Sequence, residues 1–264
     1  WHCWSLCPLS GNSVTLHTVP LPTGVLAVLN IAGWLQKKTV DVSHMNNEPL
    51  NIDYFSDMLC IWAWITQRRI EELNACFGDR INIRHLYVDI FGDTATRIHT
   101  QWADKGLYEG FCTHVIESAS PYESANVNHD VWIRTQPATS ANAHLVVKAV
   151  EIACNEQVSF EFATLLRKSF FEDCKDIGNL EVIYQLADSH AIDTGPVKQV
   201  LNEGRAMAAL MHDYQLAREY QIKGSPTFVM NEGRQVLFGN VGYRVLRTNI
   251  EELLNRPESE ASWC

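Results

Sequence analysis

The residue of this chain best suited to chemistry is Cys60, which lies between a predicted strand at 51–56 and a stretch of helical spacing that ends at Phe77. A cysteine in the first turn of a helix is close to unpaired backbone N–H groups and to the positive end of the helix dipole. Both favour the thiolate, which is the reactive form of cysteine. We therefore predict that Cys60 is a nucleophile with a lowered pKa; the alternative is an inert, structural cysteine.

The other cysteines do not complete a dithiol motif, because no two of the eight are separated by only two residues. Cys3 and Cys7 have a spacing that suits zinc poorly and no second pair follows them, so we predict no metal site. Scattered, unpaired cysteines predict reduced thiols and a cytoplasmic location. Cys264 ends a tail, 257–264, whose mobility would let this thiol resolve a mixed disulfide on Cys60; a terminal cysteine without a role is the alternative. The remaining cysteines are predicted to be small buried side chains: Cys76, Cys112, Cys154 and Cys174.

Composition limits the classes of function that need to be considered. The chain has 264 residues, of which 46% are hydrophobic, and its formal net charge is −10. This is enough to build a substantial core, and the acidic balance argues against nucleic acid as the main partner. The apolar run at 25–35 is too short to cross a bilayer and no basic residue precedes it, so we predict neither a membrane partner nor a signal peptide. Residues 1–44 are predicted to be an appendage outside the functional domain, with a true N-terminal extension as the alternative.

The order of predicted elements is β-α-β, a helical block, and then β-β-α. A strand at 81–88 follows the first helix, and a hairpin at 227–239 precedes a final helix at 243–256. The block at 94–217 is helical in character, with predicted helices at 140–154, 158–171, 179–189 and 207–220. A further helix is predicted to begin at Thr194, with that residue as its N-cap. We predict an α/β thioredoxin fold whose halves, 48–93 and 218–256, are separated by a large all-helical insertion.

Between residues 50 and 255 the chain resembles the DsbA-like thioredoxin family, and more closely its branch of FrnE and 2-hydroxychromene-2-carboxylate isomerase. Four passages in order carry the resemblance: 55–69, with Phe-Ser-Asp before Cys-Ile-Trp-Ala-Trp and a following Arg-Arg; Asn-Ala-His at 142–144; 170–179, with Phe-Phe-Glu-Asp and Asp-Ile-Gly-Asn; and Gly-Ser-Pro-Thr-Phe at 224–228.

The resemblance implies a site around Cys60. It implies a cis peptide bond before Pro226, which would present the backbone of Ser225 to a peptide or to the cysteinyl part of glutathione; an ordinary trans turn is the alternative. Trp62 and Trp64 flank the thiol, and at least one of them is expected to line a substrate groove, although core packing is equally expected for either. His144 is a candidate polar group of the same cleft, with a structural role as the alternative.

The departure from the family pattern decides the expected chemistry. Redox-active members have a second cysteine where this chain has Ala63, and the isomerase and kappa-class glutathione transferase relatives have serine where it has Cys60. A mixed disulfide on Cys60 would need an external thiol. We therefore predict a monothiol thiol–disulfide oxidoreductase that uses glutathione as co-substrate and acts on a thiol- or disulfide-containing peptide or protein. The alternatives are a glutathione-dependent isomerase or transferase and a non-catalytic peptide-binding module, and a homodimer is left open.

Overall fold

The computed structural model describes residues 48–255, in which one mixed sheet is surrounded by helices. The sheet has the strand order β2-β1-β3-β4. β1 and β2 are parallel, whereas β3 is antiparallel to both β1 and β4. This topology confirms the predicted thioredoxin fold. The strands are β1 (Leu50–Ser56), β2 (Ile81–Tyr87), β3 (Thr227–Met230) and β4 (Gln235–Phe238).

The helices form two groups. α1 (Ile61–Phe77) connects β1 to β2, and α9 (Tyr243–Asn255) follows β4. The second group lies between β2 and β3 and is the predicted insertion. It comprises α2 (Thr94–Gln101), α3 (Leu107–Ala119), α4 (Ala141–Ala153), α5 (Glu156–Phe171), α6 (Leu180–Ser189), α7 (Thr194–Asn202) and α8 (Arg205–Glu219), with a short 3-10 helix at Ala103–Lys105.

Apolar side chains on both faces of the sheet hold the two groups of helices. On one face, Ile52 and Phe228 pack in a cluster with residues of α1 and α9, such as Ile70 and Ile250. On the other face, Phe55 and neighbouring strand residues pack beneath α8. β1 is buried through most of its length because both faces of the sheet are covered at its centre.

Polar side chains at helix starts set several boundaries of the insertion. α7 is one case in which the sequence prediction was wrong: the cap is Asp193, whose carboxylate accepts a hydrogen bond from the N–H of Gly195 at 2.9 Å, and Thr194 is the first helical residue. A carboxylate accepts this bond strongly and also complements the helix dipole. The other side-chain caps are Asp93 for α2, Asn155 for α5 and Asn179 for α6.

A buried ion pair joins the insertion to the sheet. Lys148 Nζ on α4 lies 3.2 Å from Asp213 Oδ2 on α8, and both side chains are almost fully buried. The same carboxylate accepts a hydrogen bond from the backbone N–H of Tyr87 at the end of β2. Lys148 also donates to the carbonyl oxygen of His85 at 3.3 Å. The insertion is therefore anchored to β2 through hydrogen bonds as well as through apolar packing.

Within the described residues, no helix is both long enough and apolar enough to span a membrane. The predicted appendage at 1–44 and the tail at 257–264, which includes Cys264, lie outside the described residues.

Candidate active site

Cys60 lies at the junction of the sheet and α1, where it is the N-cap residue of that helix. Its backbone N–H donates to the carbonyl oxygen of Asp57 at 3.2 Å, which closes a tight turn after β1. Its Sγ donates to the carbonyl oxygen of Ser225 at 3.3 Å. The bond between Ser225 and Pro226 is cis. The structure thus brings together the two segments that the sequence analysis selected, although they are far apart along the chain.

Cys60 is almost completely buried. Its residue surface is only 6% exposed, and this burial raises the pKa of the thiol. The Ser225 hydroxyl and the backbone N–H groups of Ala63 and Trp62 act in the opposite direction because they stabilise the thiolate, but the loss of hydration outweighs them. The negative charge of Asp57 raises the pKa further. The expectation of a lowered pKa was therefore wrong.

Asp57 organises the turn that carries Cys60. Its Oδ1 accepts from the N–H of Leu59 at 2.8 Å, and its Oδ2 accepts from the N–H of Phe91 at 2.9 Å and from the hydroxyl of Ser140 at 2.8 Å. The side chain is completely buried, which raises its pKa to about 6 against the opposing effect of these hydrogen bonds. Asp57 lies in the first of the four passages that resemble the family, but no role for it was predicted from the sequence.

The Asp57 backbone also joins the turn to the cis-proline segment, because its N–H donates to the hydroxyl of Ser225 at 2.9 Å. Ser225 consequently contacts both ends of the turn: its hydroxyl contacts Asp57 and its carbonyl contacts Cys60. Pro226 itself is buried.

His144 is not part of an open cleft. Its side chain is fully buried, Nε2 accepts from the N–H of Met58 at 3.1 Å, and the ring stacks on Tyr87 with centroids 4.7 Å apart. Burial, assisted by the positive charge of Arg167, lowers the pKa of His144 to about 3, so the ring is neutral at pH 7. The prediction that His144 binds a ligand is therefore corrected: it positions the backbone next to Cys60.

Arg167 was missed by sequence reasoning. Its side chain is 1% exposed, and its guanidinium donates to the hydroxyl of Ser56 at 2.8 Å. Its charge lowers the pKa of Asp57 and that of His144. An arginine within an amphipathic helix is usually solvated, and the sequence carries no signal that marks this one as internal.

The two tryptophans that flank the thiol have different roles. Trp62 lines a cavity beside Cys60. Trp64 is a core residue instead: its Nε1 donates to the carbonyl oxygen of Asn126 at 3.0 Å, and its ring stacks on Phe171. Trp62 thus lies where a groove residue could lie, and its contact with a substrate stays a prediction. A binding role for Trp64 is corrected because its ring faces the insertion's core.

The cavity beside Cys60 has a volume of about 470 Å³ and combines aromatic walls with positive charge. Cys60, Trp62 and Ser225 line it on the side of the sheet. Trp102 and Phe111 from the insertion and Phe238 from β4 supply further aromatic surface. Three cationic side chains also line it: Arg97, Lys105 and Lys223.

The remaining described cysteines are all free thiols, but their environments differ from the prediction. Cys112 and Cys174 are buried, as expected, whereas Cys76 and Cys154 are exposed. Cys76 lies near the end of α1 and Cys154 follows the end of α4. At these helix ends an apolar position in the sequence pattern does not face the core, so both thiols are exposed.

Comparisons with known proteins agree with this fold. A family model described as Thioredoxin matches residues 54–241 of the chain. The ClpXP adapter protein SpxH from Halalkalibacterium halodurans is 24% identical over 232 residues, which cover 83% of this chain and 73% of that protein.

Two solved structures also resemble this chain. The cytosolic disulfide reductase DsbM from Pseudomonas aeruginosa with GSH has a TM-score of 0.57 and 16% identity, covering 76% of this chain and 100% of that one. A structure of 2-hydroxychromene-2-carboxylate isomerase has a TM-score of 0.54 and 13% identity, covering 81% of this chain and 100% of that one. At these identities, the likeness establishes the fold alone.

Proposed function

We infer the function from the family and from the site around Cys60: the chain belongs to the thioredoxin family whose model matches residues 54–241. We propose that it is a cytoplasmic thiol–disulfide oxidoreductase of the FrnE and 2-hydroxychromene-2-carboxylate isomerase branch. Cys60 acts as the single nucleophile, and glutathione is the external thiol. The observation that carries the proposal is the position of Cys60 at a cavity beside the backbone of Ser225, with Ala63 where a second thiol would stand.

The reaction needs two exchange steps. The Cys60 thiolate attacks one sulfur of a substrate disulfide, a Cys60–S–S bond forms, the substrate S–S bond breaks, and the other sulfur leaves as a thiolate that takes up a proton. A glutathione thiolate then attacks the sulfur that is bonded to Cys60. This releases Cys60 and forms a mixed disulfide between glutathione and the substrate, and a second glutathione reduces that product to free substrate thiol and oxidised glutathione. Two electrons pass from two glutathione molecules to the substrate disulfide.

The backbone beside Cys60 supports this sequence of steps. The Ser225 carbonyl, which accepts from the Cys60 thiol in the free protein, is a hydrogen-bond acceptor for an extended substrate backbone. The raised pKa of Cys60 means that the thiol is mostly protonated at neutral pH. Exchange should therefore accelerate as the pH rises above neutrality, because the thiolate fraction increases.

The test is the reduction of a glutathionylated peptide by reduced glutathione, measured with the wild type, Cys60→Ser and Cys76→Ser. Cys76 is an exposed thiol that does not line the cavity, so this variant is the matched control. The proposal expects turnover with the wild type and with Cys76→Ser, and none above the uncatalysed rate with Cys60→Ser. Turnover that survives Cys60→Ser would rule out Cys60 as the nucleophile.

A glutathione-dependent isomerase or transferase is a second candidate. The aromatic walls of the cavity favour it, since Trp62, Trp102 and Phe111 offer surface for an aromatic substrate. In this version Cys60 orients the glutathione sulfur without bonding to it, as a serine would. Isomerisation of 2-hydroxychromene-2-carboxylate that is retained by Cys60→Ser would favour this candidate over thiol–disulfide exchange.

A non-catalytic role is the third candidate, and the 24% identity to a ClpXP adapter protein is the observation that favours it. Here the fold supplies a binding surface, and the raised pKa of Cys60 leaves the thiol unreactive. Retention of the chain on immobilised ClpXP, unchanged when Cys60 is replaced by serine and accompanied by no exchange activity, would support this role.

A further inference from the structure

The cavity beside Cys60 has an unusual charge for this molecule. The chain carries a formal net charge of −10, yet Arg97, Lys105 and Lys223 all line the cavity, and no carboxylate of the described residues does. They come from two separate parts of the chain, since Arg97 and Lys105 belong to the insertion and Lys223 precedes the cis-proline segment. The fold therefore concentrates positive charge in the wall of the cavity that Cys60 also lines.

These charges are not neutralised within the described part of the protein. None of the three side chains forms an ion pair with a described residue. The Arg97 guanidinium lies 4.9 Å from the centroid of the Phe91 ring, and its buried Nε has no hydrogen-bond partner among the described residues. Lys105 Nζ lies 5.1 Å from the centroid of Trp102. Aromatic contacts hold Arg97 and Lys105 in place while leaving their charges available.

Arg97 is also coupled electrically to the site. Burial lowers the pKa of Arg97, and the negative charge of Asp57, together with that of Cys60 when its thiol is ionised, acts in the opposite direction. A buried guanidinium donor without a partner is costly unless a ligand or water satisfies it.

We propose that this cavity selects thiols and disulfides that carry negative charge, through Arg97, Lys105 and Lys223. The proposal rests on the proposed function for the identity of the ligand as a thiol or disulfide. The shared ligand chemistry is an anionic group, either carboxylate or phosphate, held within reach of the cations while its sulfur contacts Cys60. Glutathione, with two carboxylates, belongs to this class, whereas cationic disulfides such as cystamine do not.

Selectivity for charge can be measured without any redox turnover. Iodoacetate and iodoacetamide both alkylate a thiolate with loss of iodide, but only iodoacetate is anionic. The rates at Cys60, read by peptide mass spectrometry, give a ratio of iodoacetate to iodoacetamide reactivity. We expect this ratio to fall about tenfold in Arg97→Gln/Lys105→Gln/Lys223→Gln, because three attractive charges are lost.

The matched control removes three exposed cations that do not line the cavity, as Lys198→Gln/Arg218→Gln/Arg244→Gln. This variant has the same net charge as the first, and it should keep the wild-type ratio. Lys105→Gln/Lys223→Gln, which alters only exposed positions, should give an intermediate ratio and guards against misfolding of the triple variant. Equal ratios in the wild type and both cavity variants would overturn the proposal.

A protection experiment separates the two sources of negative charge. S-methylglutathione and desulfo-coenzyme A cannot form disulfides, so any slowing of Cys60 alkylation by iodoacetamide reports binding alone. Protection by the first supports carboxylate recognition, protection by the second supports phosphate recognition, and protection by neither overturns the proposal. A protein that selects anionic reagents but fails to reduce a glutathionylated peptide would refute the proposed function and leave the anion selectivity intact.

Discussion

At the scale of single residues, the reactivity of Cys60 is a balance between hydration and local donors. The N–H groups at the helix start stabilise the thiolate and lower the pKa of Cys60. Burial removes the hydration of the thiolate, and this raises the pKa by more than the N–H groups lower it. Asp57 adds a negative charge in the same interior, although the hydrogen bonds of its carboxylate are what hold the turn together. Asp57 therefore stabilises the turn that carries Cys60 and also raises the pKa of its thiol.

Replacing Asp57 with asparagine should move the pH profile of Cys60 alkylation toward lower pH. The carboxylate raises the pKa of Cys60, so removing its charge should increase the thiolate fraction at a given pH. The measurement is the rate of iodoacetamide alkylation at Cys60 as a function of pH, with Asp79→Asn, at an exposed position beyond α1, as the control. A profile that stays in place or moves to higher pH would show that the Asp57 charge does not act on the thiol.

Replacing Ala63 with cysteine should convert the monothiol site into a dithiol site. Ala63 is the third residue of α1, and its N–H already interacts with the Cys60 sulfur, so the added sulfur would be near Cys60. After oxidation, we expect an internal disulfide in place of a stable glutathione adduct, seen as a loss of two mass units between the paired cysteines. A persistent glutathione adduct on Cys60 would contradict the assigned geometry.

At the scale of elements, the site is built where the sheet, α1 and the insertion meet. The first strands, α1 and the terminal hairpin could be predicted closely from the sequence, because alternation, a proline and a glycine turn mark them. The cap of α7 and the exposure of Cys76 and Cys154 could not, since they depend on which helix face meets a partner. Periodicity identifies an apolar face but not what covers it.

Gly110 packs closely against the backbone of Lys105, one of the cationic residues that line the cavity. A Cβ added at Gly110 in α3 would lie 1.6 Å from the carbonyl oxygen of Lys105. Gly110→Ala should therefore displace the segment that carries Lys105 and lower the free energy of unfolding by about 1–3 kcal/mol. Urea unfolding measures the loss, and Gly242→Ala, where an added Cβ meets no atom within 4 Å, should change stability by less than about 0.5 kcal/mol. Equal stability of the two variants would contradict the prediction, because the Lys105 backbone would then move away from the added Cβ at little cost in free energy.

At the scale of the whole molecule, the insertion supplies both structure and part of the site. Its helices carry His144 and Arg167 beneath the Cys60 turn, and α2 with the following segment supplies Arg97 and Lys105. The sequence predicted an all-helical insertion but not which of its residues line the site. Arg167 contacts Ser56, and Asp57 contacts Phe91, across more than thirty positions of the chain, and no local pattern in the sequence records such contacts.

The buried pair of Lys148 and Asp213 gives this coupling a measurable consequence. Lys148→Met would leave the carboxylate buried without its cation and should lower the free energy of unfolding by about 3–5 kcal/mol at pH 8. Burial already raises the pKa of Asp213 to about 6 in the presence of Lys148, and removing the cation raises it further. Because the protonated carboxyl needs no cation, the loss should shrink as the pH falls below that pKa.

Urea unfolding of the wild type and Lys148→Met at pH 5 and pH 8 tests this prediction. Lys198→Met changes an exposed lysine on α7 and serves as the control, with little expected change at either pH. A stability loss for Lys148→Met that is as large at pH 5 as at pH 8 would place its cause in packing and not in the uncompensated charge.

The proposed function requires Cys60 to exchange with an external thiol. Peptide mass spectrometry after brief incubation with oxidised glutathione, and again after addition of reduced glutathione, tests it most directly. We predict one glutathione adduct on Cys60 that reduced glutathione removes, with a rate that increases above neutral pH. An unmodified Cys60 in a protein whose exposed Cys76 and Cys154 have reacted would contradict the claim.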